Sequence, residues 1–261
     1  MEIITVQGEA VPTLGFGTWP LKGEECRLGV EDALALGYRH IDTAQGYENE
    51  AEVGQAMKRS GVPRESIFLV TKVRPGNFTY DKTLSSSYES LEKLDAGYID
   101  LLLLHWPNPD VPLAETLRAM RKLQDEGIMR HIGVSNFSPT LVHEAAQHAT
   151  IFCNQVEFHP YHPQRELLAQ AKQMDYLLTA YSPVARGKVM SDPVLQRIGA
   201  THGKTPAQVA LRWLAQQGAS VIPKAGSNEH RRANLAIFDF SLSDAEMTAI
   251  DALGGDKQSV L

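Results

Sequence analysis

The chain has 261 residues, 43% of them hydrophobic, and a formal net charge of −6, so it can bury one large core, and its acidic balance disfavours bulk nucleic-acid binding. Its two cysteines, Cys26 and Cys153, stand in no metal or redox spacing, and no apolar run approaches the ~20 residues of a membrane span. A reduced, cytoplasmic protein is expected, with no metal, nucleic-acid or membrane partner.

In chain order, residues 3–6 and 13–17 flank a turn at 8–10 and form either a capping hairpin or the first strand. A helix over 28–36 stops at Gly37, and a strand over 39–41 follows. The helix over 51–60 stops at Gly61 and leads to a strand over 67–72. Helix 82–94 precedes strand 99–104, and helix 113–126, stopped by Gly127, precedes strand 131–134. Helix 139–147 leads to strand 152–156, and helix 166–173 to strand 177–181. The helix over 206–217 has Thr205 as its N-cap and Pro206 at its first position. A short strand over 220–222 and helices near 229–235 and 244–252 complete the pattern.

Strands alternate with helices about eight times, and the strands read as buried apolar runs. That pattern demands a parallel sheet covered by helices. Strand count and length favour a closed (β/α)8 TIM barrel forming a single domain over 1–261, with an N-terminal β-hairpin cap and extra C-terminal helices. The competing open doubly wound sheet would carry a G-x-G-x-x-G turn. Here Gly15-Phe16-Gly17 runs into Thr18-Trp19-Pro20 instead.

In a barrel the residues just past each strand line one face, and function sits there. Those positions hold Thr18 and Trp19, Asp42 and Tyr47, Lys72, His105 and Trp106, Ser135 and Asn136, Gln155, Tyr181 and Ser182, and Lys224. Singly, each has a bland reading: Asp42 as a turn cap, Ser135-Asn136 as turn chemistry, His105 as a structural histidine. Together, four ionisable groups converging on one mouth need a functional reason, because buried charge must be paired.

The chemistry narrows further. A tyrosine beside a cation is a poised proton donor; Lys72 can supply that cation and Asp42 can hold it. His105 can hydrogen-bond the same substrate oxygen. A site that protonates a carbonyl oxygen, with no metal and no acyl nucleophile, needs a hydride from elsewhere, which calls for a nicotinamide. A Schiff-base lyase built on Lys72 is weakened by Asp42, which favours the protonated amine.

The motifs LGFGTWP, YRHIDTAQGYENEAEVG, LVTK, YIDLLLLHWPNP, IGVSNF, CNQVEFHPY, AYSPVARGK, TPAQVALRW and VIPKAGSNEHRRANL run in this order along nearly the whole chain. In these the chain resembles the aldo-keto reductases, in particular the prokaryotic branch containing 2,5-diketo-gluconate reductases. The resemblance implies a catalytic tetrad of Asp42, Tyr47, Lys72 and His105, with Tyr47 as general acid. It implies that Ser135, Asn136 and Gln155 hold the nicotinamide carboxamide, that Tyr181 stacks on its ring, and that the segment from Ser182 to Lys188 covers the pyrophosphate. Thr18, Lys224, Ser227, Arg231 and Asn234 complete the expected cofactor contacts, with NADPH favoured and NADH usable. Trp19, Arg74 and Trp106 are expected to face a small-molecule carbonyl substrate, and the protein is expected to be a monomer. Three departures from the family pattern stand out: Ala225-Gly226-Ser227 after Lys224, His230 where an Arg is common, and Arg74 in place of a Trp. A nicotinamide-binding regulatory barrel is the alternative, and the intact tetrad argues against it.

Overall fold

In the structure, a computed structural model that describes residues 2–255 and 259–260, the chain starts with a hairpin. Strands β1 (Ile3–Val6) and β2 (Glu9–Pro12) pair antiparallel. Gln7 and Gly8 between them both take positive φ, the condition for a two-residue turn whose twist matches the strands. The strand expected at 13–17 shrinks to β3 (Phe16–Gly17).

Seven more strands follow: β4 (His40–Asp42), β5 (Phe68–Val73), β6 (Ile99–Leu104), β7 (Met129–Ser135), β8 (Cys153–Glu157), β9 (Leu177–Tyr181) and β10 (Ser220–Val221). Each pairs parallel with its neighbour in chain order. The first and last strands then meet. Gly15 N–H donates to the Val221 carbonyl at 2.8 Å, Val221 N–H to Thr13 at 2.8 Å, and Gly17 N–H to Pro223 at 3.3 Å. These bonds close the barrel. A Cβ on Gly17 would lie 2.7 Å from the Ile222 carbonyl oxygen, so the approach at this seam requires glycine.

Side-chain alternation along the strands separates two cores. From β5, Phe68 and Val70 point into the barrel with Leu101, Leu103, Phe152 and Leu177, and the hairpin's Val6 and Val11 close that cluster from below. Leu69 and Val73 point outward into the larger core beneath the helices. Lys72 continues the inward series of Phe68 and Val70, which puts its ammonium at the upper end of the barrel. Gln7 ties the hairpin to the wall through Asp175 and the Ile151 carbonyl.

The helices are α1 (Gly23–Ala35), α2 (Glu50–Ser60), α3 (Tyr80–Leu94), α4 (Leu113–Asp125), α5 (Pro139–Ala146), α6 (Arg165–Met174), α7 (Pro193–His202), α8 (Pro206–Gln216), α9 (Asn228–Leu235) and α10 (Asp244–Asp251). Among the described residues, none is long and apolar enough to cross a membrane. Thr205 caps α8 in a reciprocal capping box with Gln208, as the sequence leads one to expect. Helix α7 was not expected, yet its signals are all present. The Asp192 carboxylate accepts from Val194 and Leu195, Pro193 stands at the first position, and Gly203 ends it with positive φ. Helix α1 begins five residues before the expected start. Its first turn is polar, so apolar periodicity could not reveal it.

Candidate active site

Asp42 and Lys72 come from the ends of adjacent strands and are essentially fully buried. The ammonium of Lys72 donates to Asp42 Oδ1 at 2.6 Å, to the Thr43 carbonyl at 2.8 Å and to the Tyr47 hydroxyl at 3.4 Å. All three of its hydrogens are thereby used. The other carboxylate oxygen of Asp42 accepts from Gln155 Nε2 at 2.7 Å. A buried ion pair is tolerable when its remaining hydrogen-bonding capacity is met this way. Burial opposes the charge on Lys72, but Asp42 and Tyr47 outweigh it and hold its pKa above the ordinary lysine value.

Tyr47 ends a 3-10 turn over Gln45–Tyr47, which the left-handed Glu48 terminates. Asn49 anchors the loop from behind: its amide donates to the Leu21 carbonyl at 2.9 Å and accepts from the Thr43 hydroxyl at 2.5 Å. Burial pushes the Tyr47 phenol above its usual pKa, and Lys72 offsets part of that rise. His105, just past β6, sets its ring edge-on to Tyr47 with centroids 5.6 Å apart. Burial, reinforced by Lys72, lowers its pKa to about 4, so the imidazole is neutral at physiological pH.

These groups open on a cavity of about 630 Å³ whose lining includes Asp42, Tyr47, His105, Ser135, Asn136, Gln155, Tyr181 and Ser182. Trp19 and Trp106 flank it with half-exposed rings. Along the same wall, Tyr181 donates to Asn136 Oδ1 at 2.7 Å. Asn136 donates to the Ser135 hydroxyl at 3.0 Å and to the His105 carbonyl at 3.1 Å, and Ser135 donates to the Gln155 carbonyl at 2.8 Å. Four residues from the ends of β7, β8 and β9 thus form one hydrogen-bonded group that reaches Asp42. Asn136 and Ser182 both hold positive φ, which turns each chain segment sharply at the mouth.

Other expected site residues are placed differently. Arg74 does not line the cavity: its guanidinium donates to the Gln45 carbonyl at 3.2 Å, because the loop after β5 turns toward α3. Arg231 is buried and turned inward, where it ion-pairs with Asp32 at 2.5 Å and donates to the Ala225 carbonyl at 2.7 Å. Asn234 is also buried, against the Tyr38 hydroxyl. The Ser227 hydroxyl accepts from His230 N–H and so caps α9. Lys188 lies over the Tyr161 ring at 4.4 Å. Thr18 is fully buried beneath the mouth, with its backbone N–H donating to the Asp42 carbonyl at 3.0 Å. Lys224 lines the cavity as expected.

Two residues emerge that sequence reasoning did not single out. Arg186, inside the segment expected to cover a pyrophosphate, lines the cavity alongside Lys224. Gln45, two residues before Tyr47, is nearly buried and bonded on every side. The sole sequence signal for either was membership of an already suspicious stretch.

The lining suits a nicotinamide dinucleotide. Amide and hydroxyl groups at Ser135, Asn136 and Gln155 match a carboxamide, the Tyr181 ring offers an aromatic face, and Lys224 and Arg186 supply cations for phosphate.

The sequence matches the profile of the Aldo/keto reductase family over residues 13–254. It is 43% identical over 256 residues to an aldo-keto reductase of Mycolicibacterium smegmatis, covering 96% of this chain and 92% of the relative. It is 42% identical over 249 residues to the methylglyoxal reductase DkgB of Escherichia coli O157:H7, covering 94% of this chain and 93% of the relative. A solved structure described as a candidate 2,5-diketo-D-gluconic acid reductase B superposes with a TM-score of 0.95 at 47% identity, covering 98% of this chain and 92% of that one.

Proposed function

Because the chain belongs to the aldo/keto reductase family and is an oxidoreductase acting on carbonyl groups, we propose that it reduces small aldehydes and ketones to alcohols. NADPH is the favoured cofactor in this reading and Tyr47 the proton donor. The protein would work as a cytoplasmic monomer, consistent with two buried thiols.

The carrying observation is the set of three bonds from Lys72. An ammonium that is held by Asp42 and touches the Tyr47 hydroxyl stabilises the phenolate left behind when Tyr47 gives up its proton. A substrate oxygen in the space between Tyr47 and His105 would meet the phenol as acid and the neutral imidazole as hydrogen-bond partner. His105 is too weak a base to carry the proton itself at neutral pH. When bound, the nicotinamide supplies the hydride to the carbonyl carbon. Ser135, Asn136 and Gln155 would orient its carboxamide, and Tyr181 would pack on its ring.

The flanking Trp19 and Trp106 rings favour compact substrates with an apolar face. Methylglyoxal, in the name of the Escherichia coli relative, and sugar-derived keto acids are the first compounds to assay.

The test is Tyr47→Phe, with kcat measured on methylglyoxal and cofactor affinity by fluorescence quenching. General acid catalysis is worth about 10²–10⁴-fold, so kcat should drop by that factor while NADPH affinity stays within twofold. Near-full turnover in Tyr47→Phe rejects the assignment.

A further inference from the structure

We propose that Gln45 is a positioning residue for the reaction: it sets the place of Tyr47 above Lys72 by clamping the loop that carries the phenol to the strand that carries the ammonium. The proposal rests on the reading of Tyr47 as the acid.

Gln45 is the first residue of the 3-10 turn that ends in Tyr47, and its side chain is turned away from the cavity. Its Nε2 donates to the Ser86 carbonyl and to the Ser90 hydroxyl of α3, both at 3.1 Å. Its Oε1 accepts from the backbone N–H of Arg74 at 3.1 Å and from Asn77 Nδ2 at 3.0 Å. Both amide hydrogens and both lone-pair directions are used. The backbone carbonyl of Gln45 is held as well, by the Arg74 guanidinium at 3.2 Å.

Arg74 is two residues beyond Lys72, so the amide links the two members of the 3.4 Å Tyr47–Lys72 contact through covalent neighbours on each side. The other half of the loop is held separately, by Asn49 to the Leu21 carbonyl and the Thr43 hydroxyl and by Glu48 to Lys22. Without the Gln45 amide, the turn loses its bonds to α3 and to the Arg74 backbone and keeps on that side the single bond from the Arg74 guanidinium, so Tyr47 can drift from Lys72. The three-donor ammonium would then keep Asp42 and Thr43 and lose the phenol.

A purely structural amide and a positioning amide predict different double mutants. The measurements are kcat on a saturating aldehyde, NADPH affinity, and circular dichroism to verify folding, for Gln45→Leu, Tyr47→Phe and the pair. A misplacement of ~1 Å can cost up to ~10²-fold, and Gln45→Leu is expected to lower kcat about tenfold or more, with NADPH affinity within twofold. In the Tyr47→Phe background the same change should have no further effect on kcat, because no acid remains to misplace.

Losses that multiply in the double mutant, or a Gln45→Leu enzyme with unchanged kcat, overturn the proposal. If Tyr47→Phe itself keeps near-full kcat, the acid assignment fails instead, and the two failures are told apart by that single variant. Should Gln45→Leu not fold, Arg74→Ala serves. Its side chain is exposed, it removes the bond to the Gln45 carbonyl, and it should lower kcat several-fold only where Tyr47 is present.

Discussion

Arg231 and Lys224 look alike in the sequence: each is a cation on the stretch after the last strand. Their surroundings differ. Arg231 is buried against Asp32, 199 positions earlier in the chain, and that partner cannot be read from local pattern. Lys224 is exposed at the cavity wall. Removing Arg231 loses its bond to the Ala225 carbonyl and its ion pair with Asp32, a partner exposed enough to be rehydrated, whereas a surface cation contributes mainly to ligand charge. Arg231→Met should therefore lower the melting temperature and leave NADPH affinity little changed. Lys224→Met should do the reverse, weakening NADPH about tenfold and NADH much less, since a charge-assisted bond is worth ~1.5–3 kcal/mol. Calorimetry and cofactor titration on the two variants check this; a Kd shift confined to Arg231→Met would reverse the roles. Asp42, Tyr47, Lys72 and His105 were legible for the opposite reason. Each sits at or just beyond a strand end, where topology alone fixes which way it faces.

At the scale of elements, the strand–helix alternation was readable because parallel strands buried on both faces are nearly continuous apolar runs. Helix α7 was not, because the segment before it is neither strand nor α-helix but a 3-10 stretch over Ala185–Ser191 kinked at Arg186 and Gly187, which sets no pattern against which the start at Asp192 stands out. Helix α2 carries a less visible constraint. A Cβ on Gly54 would lie 2.3 Å from the Leu94 carbonyl oxygen at the end of α3, too close for any rotamer to relieve. Gly→Ala inside a helix ordinarily gains roughly 0.5–1 kcal/mol, but forcing a group into a packed backbone contact costs about 1–3 kcal/mol. Gly54→Ala should thus be destabilising by about 1–2 kcal/mol, read as a lower urea midpoint with unchanged slope. A stabilised Gly54→Ala protein would mean that α2 and α3 can separate freely. The same pair of helices flanks Glu50, which accepts from Thr71 at 2.6 Å behind Lys72, so loosening them should also reach the site.

Over the whole molecule, four histidines, His40, His105, His131 and His159, have pKa values lowered by burial. Below about pH 6.5 the unfolded chain protonates them while the folded chain resists, so the unfolded state binds more protons and stability falls as pH falls. Burial raises the pKa of two carboxyls, Glu50 and Asp100, and these push the other way by taking protons earlier in the folded state. Four outweigh two. Melting temperature should decline steadily from pH 7 to pH 5, with a slope of ~1.4 kcal/mol per pH unit for each unopposed proton. A flat or rising profile in that window would show that Glu50 and Asp100 match or outweigh the histidines. The barrel itself is uneven around its circumference. Strands β5, β6 and β7 are six, six and seven residues long, whereas β3 and β10 have two each and meet at the glycine seam. Lys72 and His105 hang from the long strands; Trp19 and Lys224 hang from the short ones. The cylinder is accordingly a vice with its thick jaw behind Lys72 and His105, and the three-residue β4 that carries Asp42 and Tyr47 is joined to that jaw through its ladder to β5.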